Sequence, residues 1–487
     1  MAILITSPGL VTTGTEGADD IRFITGGSLT SNGSVVNGLD GNDTITTNAS
    51  GVLIRSAAQI GAGVSIDAGS GSDIVNIRVS GSTDSADNAI VLGGVGDDTI
   101  TVGAASGVGS FSNVDGGEGD DLITISTGTY SAVAGGAGND TINLTGSINL
   151  QTADSINAGE GNDRISGSVT LQTAAGILGG DGADTITIAS IANTGSFVNG
   201  DDTVNGGAAD VISVGTQGAA TIVRGKGGAD TITISGLGVS AVVAGNAGGD
   251  VITVSGIADD AALKGGQGGD SLNLDVATTL AGISAEIIGG GGKDTISIED
   301  AVVNNANITM NGGAGVDSIT FSGAINAGVN LGVLGISNMG DSKVGAMDTV
   351  DITGLAAGTA VISFEVVTPI SLGSAATLGN MGDLAVTGST GFTTAVGQSG
   401  AVVSGVMSFS GQASATVATA ATYADAASRV ASGDSKGRAV LFTAGSDEYL
   451  FVQGGAAGTD DDYVVKFNGT DNSTFTGVGT TILLGAD

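Results

Sequence analysis

Aspartate recurs at the sixth place of a glycine turn about fifteen times between residues 14 and 348, as in GGVGDDTIT at 93–101, GGEGDDLIT at 116–124 and GGAGNDTIN at 135–143. The sixth-place residues are Asp19, Asp43, Asp73, Asp98, Asp121, Asp140, Asp163, Asp184, Asp210, Asp230, Asp250, Asp270, Asp294, Asp317 and Asp348. In the fullest copies the first and fourth places are Gly93 and Gly96, Gly116 and Gly119, Gly135 and Gly138, Gly179 and Gly182, Gly265 and Gly268, and Gly312 and Gly315. Glycine turns through positive φ and leaves carbonyls uncovered, while aspartate supplies a hard carboxylate oxygen. An all-oxygen donor set of this kind selects Ca²⁺ over zinc or copper. One copy alone is equally well read as a tight turn whose aspartate accepts backbone N–H groups; repetition is what points to a metal. The metal reading is weakest in two copies. In NGGAADVIS at 205–213, Ala208 replaces the fourth glycine, and at Asp348 the turn is degraded to MDTVD.

The elements that position these turns follow from the spacing. Successive aspartates lie about 19 to 31 residues apart, one turn of a solenoid for each motif. After each aspartate comes a short alternating strand, such as Thr99, Ile100, Thr101 and Val102, with aliphatics inward and threonine outward. A loop rich in Gly, Ser, Ala and Asn follows, and a second strand leads back to the next glycine turn, as at Ala89, Ile90, Val91 and Leu92. Neither strand buries its inner face alone, so stacked coils must share a narrow Ile/Val/Leu/Ala core. The expected fold is an all-β parallel solenoid over 1–355, with one row of cation sites along one edge and variable loops on the other.

The GGxGxDxU repeat resembles that of the RTX family of secreted calcium-binding proteins, whose nonapeptides wind into a parallel β-roll. The resemblance covers roughly the first 350 residues. It departs from the family in carrying one motif per coil where tandem copies usually give two. It implies multiple Ca²⁺ ions held by the aspartates from Asp19 to Asp317 and the glycines named above, each aspartate sharing its ion with the neighbouring coil.

Composition narrows the setting. With 89 glycines and 3% aromatic residues the core must be thin for 487 residues. A formal charge of −36 disfavours nucleic acid and anionic membranes as partners. Roughly fourteen Ca²⁺ ions at +2 each would bring −36 to about −8 and relieve most of the self-repulsion. The absence of Cys and His excludes disulfides, thiolate or imidazole metal sites and Ser-His or Cys-His catalysis. Paired carboxylates such as Asp97 and Asp98 recur in turn after turn, which favours ion binding over acid-base chemistry, and no enzyme is expected. The first residues lack a basic stretch followed by a long apolar run, and no stretch approaches a membrane span. The family resemblance therefore implies export by type I secretion machinery that reads a C-terminal signal, and an extracellular or cell-surface location.

Composition shifts near residue 355. A Ser/Thr/Ala-rich β-like connector or cap is expected over 356–411 and a secretion or assembly domain over 412–487, with a helix at 415–431 and paired strands in 438–455 and 461–469. This last stretch is similar to the carboxyl ends of bacterial surface-layer and large RTX exoproteins. The expected role is structural: a self-assembling surface-layer or sheath subunit whose partner is itself. A calcium-dependent adhesin or matrix protein, with cell-surface polysaccharide as partner, is the alternative. The outward ladder of Thr44, Thr46, Thr99, Thr101, Thr185, Thr187, Thr231 and Thr233 is also that of ice-binding solenoids, but Asn143, Val251, Ser271 and Asn273 interrupt it.

Overall fold

The computed structural model describes residues 2–5, 11–23, 35–47, 54–55, 65–80, 89–104, 110–202, 207–275, 279–299, 302–304, 307–321, 330–334, 347–351, 360–363, 384–386, 399–403, 406–410, 439–444, 447–452, 463–468, 474–478 and 481–485. The expected helix at 415–431 lies outside the described residues. The chain forms two compact units, Met1–Ala247 and Gly248–Asp487.

In the first unit every coil contributes one strand to each of two parallel sheets. The strands that follow the aspartates include Thr99–Ala104, Leu122–Ile125, Thr141–Leu144, Arg164–Gly167, Thr185–Ile191, Val211–Gln217 and Thr231–Leu237. They pair in parallel with the same motif position facing itself in each coil, so Ile100 meets Ile123, Ile123 meets Ile142 and Ile142 meets Ile165. The strands that lead into the turns, among them Ala89–Val95, Ser110–Glu118, Gly128–Ala137, Ile148–Glu160 and Gly176–Asp181, form the second sheet. Parallel sheets with alternating sequences put one side chain in two inside, and the result is a set of aliphatic columns. Ile100, Ile123, Ile142, Ile165, Ile186, Ile212 and Ile232 are buried in one, and Val91, Val114, Val133, Ile156, Ile177, Val198 and Val223 in the facing one. Phe111 and Tyr130 supply the bulkiest layer, stacked with centroids 5.1 Å apart, and the Tyr130 hydroxyl donates to the Ser126 carbonyl at 2.8 Å.

The edge opposite the glycine turns is more regular than expected. Ala153, Ala174, Gly195, Ala220 and Ser240 each take positive φ, at 67°, 60°, 77°, 52° and 54°, once per coil. The variable-loop expectation fails for these coils. Each chain reversal is a fixed turn closed by one left-handed residue, as where Ala175 and Ala241 N–H groups donate back to Gln172 and Gly238 carbonyls.

In the second unit the same pattern runs through Val251–Val254, Ser271–Asp275, Thr295–Glu299, Ser318–Phe321 and Thr349–Asp351. Tyr463–Asn468 then adds to Thr349–Asp351 in parallel, with Phe467 opposite Val350, and continues the buried column of Ile252, Leu272, Ile296, Ile319 and Val350. Beyond it the pairing becomes antiparallel, through Asp447–Val452 to Ala439–Ala444. The paired strands expected at 438–455 and 461–469 are present. Among the described residues no helix is long and apolar enough to cross a membrane.

Candidate metal centre

The glycine turns owe their shape to two left-handed positions. The second place has φ of 119° at Gly94, 115° at Gly117 and 123° at Gly136, and the fourth has 122° at Gly96, 124° at Gly119 and 138° at Gly138. The turns stack so closely that a Cβ on Gly119 would fall 2.4 Å from the Gly96 carbonyl oxygen. The first place differs in kind, for its φ is not left-handed and the crowding comes both from the motif's own aspartate and from a carbonyl of the next coil. A Cβ on Gly135 would lie 2.4 Å from Asp140 Oδ2, and one on Gly93 2.4 Å from Asp98 Oδ2. Ala68 and Ala158 nevertheless occupy this place in their coils and are buried. Gly119→Ala should therefore cost about 2 kcal/mol or more, because its left-handed φ is forced, while Gly135→Ala should cost less, because no positive φ is demanded there and alanine already fills the place in two coils. Denaturant unfolding in millimolar Ca²⁺ measures both, and equal losses would contradict this account of the turn.

Asp98 shows what the sixth place does. Its N–H donates to Asp121 Oδ1 at 2.8 Å, its carbonyl accepts from Leu122 N at 2.8 Å, and its Oδ1 accepts from Asp73 N at 2.7 Å. Its Oδ2 is buried without a hydrogen-bond partner. The same N–H to Oδ1 link runs from Asp19 through Asp43, Asp73, Asp98, Asp121, Asp140, Asp163, Asp184 and Asp210 to Asp230, at 2.6–2.9 Å. In the second unit it runs from Asp250 through Asp270, Asp294 and Asp317 to Asp348, at 2.8–2.9 Å. Asp43, Asp73, Asp121, Asp140, Asp163, Asp184, Asp210, Asp270 and Asp294 repeat the unpartnered Oδ2. Buried carboxylates this close together resist ionisation. Burial is the main cause, followed by the opposing effect of the accepted N–H and then repulsion from neighbouring carboxylates. It raises Asp98, Asp121 and Asp184 to about 7, Asp73, Asp140, Asp163 and Asp294 to about 6, and Asp210 to about 8.

Two turns of the row need the neighbouring coils to be read. Asp348, in the degraded copy, ends the hydrogen-bonded column of the second unit, its Oδ1 accepting Asp317 N at 2.9 Å. In the ninth turn the first place is Gly200, not Asn205: a Cβ on Gly200 would meet Asp210 Oδ2, and Asp201 pairs with Gly180 in the second place. The rest of the motif arrives after an insertion. A step of 26 residues from Asp184 to Asp210, against 21 before and 20 after, was the available signal.

A second column went unnoticed in the sequence. The fifth-place side chains link outer turns in the opposite sense, Asp97 Oδ1 accepting from Asp120 N at 2.9 Å, Asp120 from Asn139 N at 2.7 Å, Asn139 from Asn162 N at 2.9 Å and Asn162 from Ala183 N at 2.8 Å. The recurrence of GDD and GND was its signature. The column ends where Ala183, Ala209 and Ala229 take the place.

The donor set suits a hard cation. The point where a Cβ on Gly93 would sit lies 2.4 Å from Asp98 Oδ2 and 2.3 Å from the Gly116 carbonyl oxygen, and at Gly135 the corresponding oxygens are Asp140 Oδ2 and the Ala158 carbonyl. The turns of Asp43, Asp98, Asp121, Asp140, Asp184, Asp210, Asp270 and Asp294 thus each bring one unpartnered carboxylate oxygen to the same point as a carbonyl of the next coil. Among the described residues no group of three or more Asp or Glu gathers on one point, so carbonyls must complete any coordination shell.

No family model matches the chain, and no curated protein matches it. Its fold has a solved neighbour. The chain is similar to a hyperactive, Ca²⁺-dependent, β-helical antifreeze protein from an Antarctic bacterium, at 23% identity over 64% of this chain and 84% of that one, with a TM-score of 0.41.

Proposed function

We propose that this protein is a calcium-stabilised structural repeat protein of the bacterial exterior, of the RTX type, whose solenoid forms when its aspartate row is neutralised and whose copies then assemble. The observation that carries this reading is the set of buried carboxylates with unpartnered Oδ2 atoms, at Asp43, Asp98, Asp121, Asp140, Asp184, Asp210, Asp270 and Asp294, each beside a carbonyl of the next coil. A buried anion without a partner is costly, and a divalent cation converts that cost into folding free energy. A chain of −36 carrying this row is self-repelling in calcium-poor surroundings and compact in calcium-rich ones. That suits a protein exported loose and folded outside, and type I secretion is the route we assign. Lowering the net charge also removes the main barrier to association, so a surface lattice or sheath is the preferred role and the chain itself the preferred partner.

Adhesion is the second reading. It is favoured by the outward column of Thr101, Thr124, Asn143, Ser166, Thr187, Ser213 and Thr233, an uncharged row of hydroxyl and amide groups on an otherwise acidic protein. A calcium titration of the purified chain, followed by circular dichroism and then by sedimentation and electron microscopy, tests the proposal. Strand content should rise cooperatively and ordered sheets or filaments should appear, dispersing on chelation. Unchanged strand content between chelator and millimolar Ca²⁺ would remove the calcium reading. Folded monomers at high concentration would remove the assembly role, and binding of those monomers to cell-wall polysaccharide would replace it with adhesion. Depression of the freezing point by the same monomers would assign the threonine columns to ice.

A further inference from the structure

The ninth turn differs from every other turn described above in carrying a second buried carboxylate. Asp201 and Asp210 are each 1% exposed. Asp201 follows Gly200, the glycine over which Asp210 Oδ2 lies, and that Oδ2 has no hydrogen-bond partner. The Asp201 carboxylate accepts Gly227 N at 3.2 Å and also the Ala208 N–H, which fixes it against the backbone of turns nine and ten. After burial, the strongest electrostatic influence raising Asp210 is Asp201, ahead of Asp184 and Asp230, and Asp181 acts on both Asp184 and Asp201. The compensating cation is Lys226, whose Nζ donates to the Asp202 carbonyl at 2.8 Å and whose charge acts on Asp201 from the turn's outer side. Asp181, Asp184, Asp201, Asp210 and Asp230 thus act on one another around this turn with Lys226 as the one opposing charge, although the missing fourth glycine had marked it as a weak copy.

We propose that the interrupted turn holds a two-carboxylate divalent-cation site, with Asp201 and Asp210 as its anionic ligands, that fills before the one-carboxylate turns around it. The proposal rests on the calcium reading of the row. Affinity for a hard cation rises with the number of charged ligands when carbonyl donors are otherwise equal, and among the turns described above only this one adds a second buried carboxylate, held by the Gly227 and Ala208 N–H groups. The site would then seed the row, neutralising this turn before the neighbouring turns load.

Calorimetric titration of the full chain with Ca²⁺ tests this, backed by equilibrium dialysis with radioactive Ca²⁺. The wild-type isotherm should show one tight site per chain ahead of the remaining sites. Asp201→Asn should weaken that site about tenfold or more and leave the later phase in place, whereas Asp202→Asn, an equal loss of charge on an exposed neighbour, should leave both phases unchanged. Lys226→Asn provides a second arm that keeps the fold, because Asn246 takes the same place in the next turn with φ of 81° against 80° for Lys226. Removing the ammonium should tighten the first site several-fold. A single class of sites that neither Asp201→Asn nor Lys226→Asn alters would overturn the two-carboxylate site while leaving the calcium row intact. A wild-type chain that binds no Ca²⁺ would instead overturn the row, and this site with it.

Discussion

In excess chelator, lowering the pH from 8 to 5 should raise the strand content and the unfolding midpoint of the solenoid, and in millimolar Ca²⁺ the same change should lower them. The sign follows from the aspartate row. Folded-state pKa values of about 6 to 8 at Asp73, Asp98, Asp121, Asp140, Asp163, Asp184, Asp210 and Asp294 stand above the ordinary 3.8 expected of the unfolded chain. A raised folded pKa means that the folded state holds protons the unfolded state has released. The associated stability is complete below about pH 4 and is lost as the pH rises through 6 to 8. Without metal, the fold is therefore strongest in acid, where each Oδ2 carries a proton to donate to the carbonyl beside it. Calcium reverses the dependence because it binds only the ionised carboxylate. Thermal scans at four pH values, with and without chelator, should cross. Parallel curves would show that the row is neither protonated nor metallated in the folded state.

Replacing Asp140 should separate its two oxygens. Asp140→Ala removes Oδ1, the acceptor for the Asp121 N–H, in a place where Asp121 is 2% exposed and no water can substitute. That alone costs about 1–3 kcal/mol with or without metal, with a further loss from the vacated space. Asp140→Asn keeps an acceptor at Oδ1 and places an NH₂ where Oδ2 faced the Ala158 carbonyl, so it mimics the neutral acid. At pH 8 in chelator this variant should be more stable than the wild type by about 1–2 kcal/mol, a figure discounted from the full pKa shift because the outer turn at Asn139 is exposed. In calcium it should be less stable, since one site has lost its charge. Opposite signs in the two media are the diagnostic result. If Asp140→Asn and Asp140→Ala are equally destabilised in both, the carboxylate is a plain turn acceptor and carries no cation.

Much of this was legible in the residues because a repeat states the same local rule many times. Alternation after each aspartate placed Ile100, Ile123, Ile142, Ile165 and Ile186 inside, and a motif once per 19 to 31 residues made each copy one coil. The glycine at the fourth place was forced by φ near 120°–140°, a demand that any chain-local argument can recognise.

What the residues alone left open depends on what a neighbouring coil supplies. Asp348 looked degenerate because its glycines are gone, yet membership of the column requires only an Oδ1 level with Asp317 N, a condition set by the stacking and not by the turn. The local pattern at 205–213 resembles the motif with Asn205 in the first place, while register with Gly180 assigns the second place to Asp201 and so the first to Gly200. Phe467 shares a column with Val350 across more than a hundred residues of intervening chain, a pairing that no periodicity announces. The sequence by itself determined the coil, its inward face and the oxygen chemistry of its turns, because those are properties of a few consecutive residues. Only the tertiary structure decided which carboxylate oxygen is satisfied by the next coil and which is left for a cation, because that depends on the distance between coils and not on the order of residues within one.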